Sequence, residues 1–156
     1  MWWLVLKTCH VLFAMLYLGT GLGSAYYKLR AFASRDVRAI AFVDNAIVRA
    51  DWLFTVPSGI VMPATGATMV YWIKLPWTTS WVLVAFSLWT VAGLSWMWAA
   101  WLQIKMKTWS AQAAQDGKPL SAEYVRAQTL WMWLGIPAFL AAVATVAVMV
   151  SKPTFW

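Results

Sequence analysis

Long apolar segments alternate with shorter polar connections along the chain. Four apolar segments lie at about 2–27, 52–73, 81–104 and 130–150. Each is long enough to cross a hydrocarbon layer of about 30 Å as a helix, which takes about 20 residues. None shows the strict alternation of a membrane β-strand, and a helix satisfies its own backbone hydrogen bonds in lipid. The pattern therefore predicts an all-α, integral membrane four-helix bundle.

The composition excludes a soluble monomer. Of the 156 residues, 63% are hydrophobic and 11% are charged, whereas an average soluble domain is about 45–50% apolar and about 25% charged. A chain of this length buries only about two thirds of its surface when it folds in water, so much of this apolar surface must face lipid. Cys9 is the only cysteine and excludes an internal disulfide. With no internal repeat or linker, we expect one membrane domain over residues 1–156.

The basic residues predict the orientation in the membrane. Nine of the twelve Lys and Arg residues lie in the connections 28–51 and 105–129, and the others are Lys7, Lys74 and Lys152. Cytoplasmic loops carry the excess of Lys and Arg. Both long connections are therefore predicted to be cytoplasmic and both termini periplasmic, in a multi-pass protein of the bacterial inner membrane. The formal charge of +7 indicates contact with lipid headgroups and not binding to nucleic acid.

The two cytoplasmic connections are predicted to contain helix. Ser34 is a candidate N-cap for a helix over 36–49, whose apolar face lies against the lipid surface or the bundle: Val37, Ile40, Val43 and Ile47. The sequence Asp116-Gly117-Lys118-Pro119 is a strong turn signal. Ser121 is then a candidate N-cap for the helix that leads into the fourth segment.

Each apolar segment has one face of small or polar side chains at steps of three and four residues. Membrane helices turn such faces toward their neighbours. In the first segment the face contains Lys7, His10, Ala14, Tyr17, Gly21 and Ser24. In the second it contains Asp51, Thr55, Ser58, Met62, Thr65 and Met69. In the third it contains Trp89, Gly93, Trp96, Ala100 and Gln103. In the fourth it contains Gly135, Ala138, Ala142, Thr145 and Met149. We expect the Arg49/Asp51 pair to fix the depth of the second helix.

His10 is the only histidine and the main candidate for chemistry. An ionisable group inside a membrane span is by default a hypothesis for a functional site, and neutral imidazole is a common ligand of haem iron. In that interpretation Lys7 pairs with a propionate and Tyr17 packs against the ring. The alternative is a hydrogen bond from His10 to a neighbouring helix, for example to a carbonyl that a proline frees.

Several motifs carry a resemblance to a known family: Leu6–Leu12 (LKTCHVL), Arg49–Pro57 (RADWLFTVP), Trp101–Ile104 (WLQI), Trp133–Phe139 (WLGIPAF) and Met149–Pro153 (MVSKP). Over essentially the whole chain they resemble the predicted integral membrane proteins of domain of unknown function 2269. That resemblance implies four membrane helices and no established activity. More distantly, an early His in a first helix resembles the four-helix proteins of the HemJ protoporphyrinogen oxidase and copper-resistance D types. In the HemJ type such a His is associated with haem b, and only His10 carries over.

Two functional hypotheses follow. The first is a small protein that binds haem b, with His10 as the metal ligand, and serves electron transfer or a redox partner. The second is a cofactor-free accessory subunit that packs against other membrane subunits or a second copy of itself. An enzyme of tetrapyrrole oxidation is a third, weaker reading. We expect no catalytic activity of the chain's own.

Overall fold

A computed structural model describes residues 1–156 as an all-helical protein. The helices are α1 (Trp2–Ser34), α2 (Val37–Ala50), α3 (Val56–Trp72), α4 (Ser80–Asp116) and α5 (Ala122–Ser151). A π-helical turn, Asp51–Thr55, joins α2 to α3 without a break. The chain thus has four continuous helical stretches that are long and apolar enough to span a membrane. The predicted four-helix membrane bundle is confirmed.

Two of the helices are much longer than a membrane is thick. Helix α1 has 33 residues and α4 has 37, which correspond to about 50 and about 55 Å at 1.5 Å per residue. The hydrocarbon core measures about 30 Å. Because the apolar segments occupy the N-terminal parts of both helices, their C-terminal parts extend beyond the membrane on one side. The first span continues as helix to Ser34, and no Gly or Pro occurs between Ser24 and Val56 to interrupt it.

The connection between α1 and α2 differs from the prediction in its cap. Helix α1 ends at Ser34, and Arg35, which caps it, has a left-handed backbone with φ of 58°. Asp36, and not Ser34, caps α2, because its carboxylate accepts hydrogen bonds from the backbone N–H groups of Arg38 (2.9 Å) and Ala39 (3.4 Å). Ser34 donates instead to the carbonyl of Ala31 at 2.6 Å. A carboxylate suits this position because it also interacts favourably with the helix dipole.

The connection between α4 and α5 confirms the predicted turn and cap. Gly117 ends α4 with φ of 63°, and its N–H donates to the carbonyl of Ala113. Glycine takes this left-handed conformation without the steric cost of a Cβ. Ser121 then begins α5 by accepting a hydrogen bond of 3.2 Å from the N–H of Tyr124.

The π-helical turn marks the point where the second helix enters its apolar segment. The N–H of Val56 donates to the carbonyl of Asp51, five residues back. Pro57 follows at once, and because proline has no N–H it removes one bond of the normal ladder. Turns of this kind are rare in proteins, and those that occur are often found at functional sites. Asp51 and Thr55, at its two ends, are both buried.

The buried apolar core lies at the end of the bundle where the long helices extend. It consists of Ala31, Ile40, Ala99, Leu102, Met106, Tyr124, Ala127 and Trp131. By contrast, no residue of the most apolar 18-residue stretch of α1 is fully buried, and 6% of that in α5 is. The membrane segments therefore present most of their apolar side chains to lipid. Ile40 and Ile47 are buried, which places the apolar face of α2 against the bundle.

In the membrane the helices pack as two pairs. Helix α1 packs on α3 and α4 packs on α5, whereas α3 scarcely approaches α4 or α5 and α1 meets α5 at few points. Helix α2 contacts both α1 and α4. It therefore joins the two pairs at the end that holds the buried core.

The predicted orientation can be tested by cysteine labelling in a Cys9→Ala background. We expect Gln115→Cys, in the α4–α5 connection, to react with a membrane-impermeant maleimide only after cells are opened. We expect Thr154→Cys, near the C-terminus, to react in intact cells with a permeable outer membrane. The reverse labelling pattern would contradict the orientation.

Candidate functional site: buried polar layers between the helices

The carboxylate of Asp44 is buried and makes contacts with three other helices. Lys28 donates to Asp44 Oδ1, and Ser110 Oγ and Tyr124 OH each donate to Asp44 Oδ2 at 2.8 Å. These four residues, named here the Asp44 cluster, come from α2, α1, α4 and α5. Each is 2% exposed or less. The cluster thus connects both helix pairs through one side chain.

The Asp44 cluster contains a buried ion pair whose charges are well compensated. The Lys28 ammonium also lies over the rings of Tyr124 (5.7 Å to the centroid) and Trp131 (5.5 Å). An isolated buried charge is costly, and a buried pair is tolerated when further hydrogen bonds satisfy it. Here both carboxylate oxygens have donors and the cation has aromatic faces beside it.

This cluster was not predicted from the sequence, because Lys28 lies in a basic connection that was assigned to the cytoplasmic surface. One signal was available. Asp44 lies four residues after Ile40 and three before Ile47, which places it on the apolar face of α2. A carboxylate on such a face requires buried partners.

The register between α1 and the α2–α3 helix is fixed at two points. Lys28 meets Asp44 at one end, and His10 meets Met62 at the other. Lys28 and His10 are 18 residues apart, as are Asp44 and Met62. Because the two helices are antiparallel and both are α-helical as far as Asp51, equal steps from Lys28 and Asp44 remain opposite each other. Gly21 therefore lies opposite Asp51.

Asp51 forms a second polar position, seven residues along the helix from Asp44. Its Oδ1 accepts a hydrogen bond of 2.8 Å from Thr55 Oγ1, and the side chains of Trp96 and Gln103 lie beside its carboxylate. Asp51 Oδ2 has no hydrogen-bond partner. Arg49 and Asp51, which we expected to fix the depth of the second helix, do not pair with each other, since Arg49 is exposed and Asp51 is buried.

His10 lies between α1 and α3. Its Nδ1 is 2.8 Å from the carbonyl oxygen of Met62 and 3.0 Å from Thr65 Oγ1. Thr65 Oγ1 in turn donates to the carbonyl of Val61 (2.7 Å) or Met62 (2.9 Å). A carbonyl can only accept, so we assign the proton to Nδ1, which leaves the lone pair on Nε2.

Gly66 allows the helices to approach at His10. A Cβ at this position would lie 3.2 Å from His10 Cε1, closer than most real contacts. The hydrogen bond from His10 to a neighbouring helix, which was one of the two predicted interpretations, is therefore present. Its acceptor is not a carbonyl that proline frees, since Pro63 frees the carbonyl of Gly59 and not that of Met62.

The two helix pairs enclose a small apolar cleft of about 20 Å³ beside this position. Its lining comes from all four membrane helices: Ala14, Tyr17, Leu18, Met62, Trp89, Ala92, Ala142, Thr145 and Val146. The structure therefore brings Tyr17, which is half-buried, to the cleft. His10 is partly buried but does not line it, and Lys7 is exposed on the surface of α1. No three His, Cys, Asp or Glu side chains gather as a metal-binding group.

Comparison with known proteins gives one match. A family model described as "Predicted integral membrane protein (DUF2269)" matches residues 4–153. The chain belongs to the DUF2269 family. No curated protein and no solved structure matches it. Every residue of the polar positions described above lies within the segment shared with this DUF2269 family, and the more distant HemJ resemblance stays a prediction.

The Asp44 cluster can be tested by a double-mutant cycle. We expect Lys28→Met to lower the free energy of unfolding by about 3–5 kcal/mol, because it leaves a buried carboxylate without its cation. Lys28→Met combined with Asp44→Asn should recover a large part of this loss. The measurement is unfolding of the reconstituted protein, followed by tryptophan fluorescence.

The matched control is Lys118→Met. Lys118 pairs with Asp116 at 3.3 Å, but both side chains are exposed. Exposed pairs contribute at most about 1 kcal/mol. Equal effects of Lys28→Met and Lys118→Met would contradict the role of the Asp44 cluster.

Proposed function

We propose that this membrane protein binds haem b, with His10 Nε2 as the axial ligand, and serves as an electron carrier or redox partner of other subunits in the bacterial inner membrane. The observation that carries the proposal is the hydrogen bond from His10 Nδ1 to the Met62 carbonyl. Histidines that bind metals usually donate their other ring N–H to a carbonyl or carboxylate, which fixes the tautomer and the ring orientation. His10 has this arrangement.

The packing of the membrane helices provides the second support. The apolar cleft lies between two helix pairs that share few contacts in the membrane, and aromatic side chains, Tyr17 and Trp89, line it. Its volume of about 20 Å³ is far below that of small-molecule pockets, which measure about 300–1,000 Å³. A macrocycle therefore requires the pairs to move apart, while the Asp44 cluster holds them together at the other end.

Each residue has a defined part in this proposal. His10 holds the iron, Tyr17 packs against the ring, and the exposed Lys7 is available to pair with a propionate. Bound haem would supply one-electron transfer. The protein supplies the ligand and an apolar surrounding, and both influence the reduction potential of haem iron.

A cofactor-free accessory subunit is the second candidate. The observation that favours it is that His10 already has two hydrogen-bond partners on α3, so the imidazole has a structural role without any metal. In this candidate the apolar faces of the helix pairs contact other membrane subunits or a second copy of the chain.

An absorption spectrum of the detergent-purified protein separates the two candidates. For haem binding we expect a Soret band that is lost in His10→Ala and retained in Cys9→Ala, the matched change at the neighbouring position. Both variants should remain folded by circular dichroism. A wild-type protein without a Soret band, isolated in stoichiometric amounts with larger subunits, would contradict haem binding and support the accessory role.

A further inference from the structure

The inward positions of the Asp44 cluster recur seven residues further along each helix. Seven residues are two turns, or about 10 Å. From the Asp44 cluster this step leads from Lys28 to Gly21, from Asp44 to Asp51, from Ser110 to Gln103 and from Tyr124 to Trp131. We name the second set the Asp51 layer. The position of Gln103 beside Asp51 confirms that the step keeps the helices in register.

The Asp51 layer differs from the Asp44 cluster in one essential respect, which is the lack of a cation. Where α1 supplies Lys28 to Asp44, it has Gly21 opposite Asp51. Neither ion pair of the structure involves Asp51. A buried carboxylate without a counter-charge is costly, and Asp51 is only 7% exposed.

Several buried polar atoms on the inward faces have no hydrogen-bond partner. Within the layer they are Asp51 Oδ2, Gln103 Oε1 and Trp131 Nε1, and outside it Ser58 Oγ and both amide atoms of Gln128. Asp51 is 7% exposed and Gln103 is 5% exposed. In native proteins the large majority of buried polar atoms have a partner. The carboxylate and amide oxygens of the layer can only accept a hydrogen bond or bind a cation, whereas Trp131 Nε1 can only donate.

The layer also has an opening. Gly21 is exposed, and a Cβ at this position would meet no atom within 4 Å. There is therefore open space beside Gly21, on the helix that lies opposite Asp51. Because Asp51 lies where the second apolar segment begins, this space is at the level of the membrane interface.

From these observations we propose that the Asp51 layer binds a monovalent cation, which takes the place that the Lys28 ammonium has in the Asp44 cluster. Oxygen ligands suit hard cations, and a single carboxylate matches a single positive charge. A sodium ion from solution and the primary ammonium of a lipid headgroup share this chemistry. No residue of the layer lines the cleft or contacts His10, and the proposal does not require haem, although Tyr17 of the cleft lies within electrostatic range of Asp51.

The test measures the thermal unfolding of the protein in lipid nanodiscs. In phosphatidylcholine, which lacks a primary amine, one arm replaces N-methyl-D-glucamine by Na⁺ at constant ionic strength. A second arm, without Na⁺, replaces phosphatidylcholine by phosphatidylethanolamine. We expect the midpoint temperature to rise by several degrees in at least one arm and to saturate, because a ligand that binds only the folded state stabilises it. The arm that responds identifies the source of the cation.

Two variants make the test specific to the layer. Asp51→Asn removes the charge, and we expect it to abolish the rise in both arms. Gly21→Lys supplies a tethered ammonium opposite Asp51, and we expect it to unfold at a higher temperature without added cation and to respond to neither arm. Asp116→Asn, which changes an exposed carboxylate, is the matched control and should respond like the wild type.

The proposal is overturned if the wild-type protein responds to neither cation source, or if Asp51→Asn responds as strongly as the wild type. A midpoint that depends on pH alone would show that Asp51 is protonated and needs no cation. That result would also overturn the proposal.

Discussion

The burial of one carboxylate determines how the helices of this protein are held together. Asp44 accepts hydrogen bonds from α1, α4 and α5 while it belongs to α2 itself. In lipid, contacts between apolar side chains contribute little to helix association, because lipid tails are equally apolar. Polar contacts and close packing must therefore hold the helices together. The Asp44 cluster and the apolar core around it meet this need at one end of the bundle.

The other end of the bundle is held more weakly. There the contacts of His10 tie α1 to α3, and Ser80 Oγ accepts a hydrogen bond of 3.1 Å from the N–H of Phe155, which ties the start of α4 to the C-terminal segment. Neither contact connects one helix pair with the other. The cleft thus lies at the end of the bundle where few interactions oppose separation of the helix pairs. His10, the candidate ligand, lies at this same end.

The sequence predicted the helices well and the polar interior only in part. Length and hydropathy identify a membrane helix reliably because lipid requires every backbone group to be satisfied internally, and local turn chemistry predicted Gly117 and Ser121 correctly. The inward face of the second helix, from Asp51 to Met69, was also predicted. The Asp44 cluster was not, because its members are far apart in the chain and their pairing depends on the register of four helices. The choice between Ser34 and Asp36 as cap depended on where α1 ended, which the sequence did not show.

The π-helical turn at Asp51–Thr55 has a consequence for the geometry of the whole second helix. It inserts one extra residue between the part that holds Asp44 and the part that meets His10. An α-helix advances about 100° per residue, so without this residue the face of α3 that carries Met62 and Thr65 would point about 100° away from α1. The turn therefore determines how the two ends of this helix are rotated relative to each other. One continuous helix can then present a carboxylate to its neighbours at one end and a carbonyl at the other.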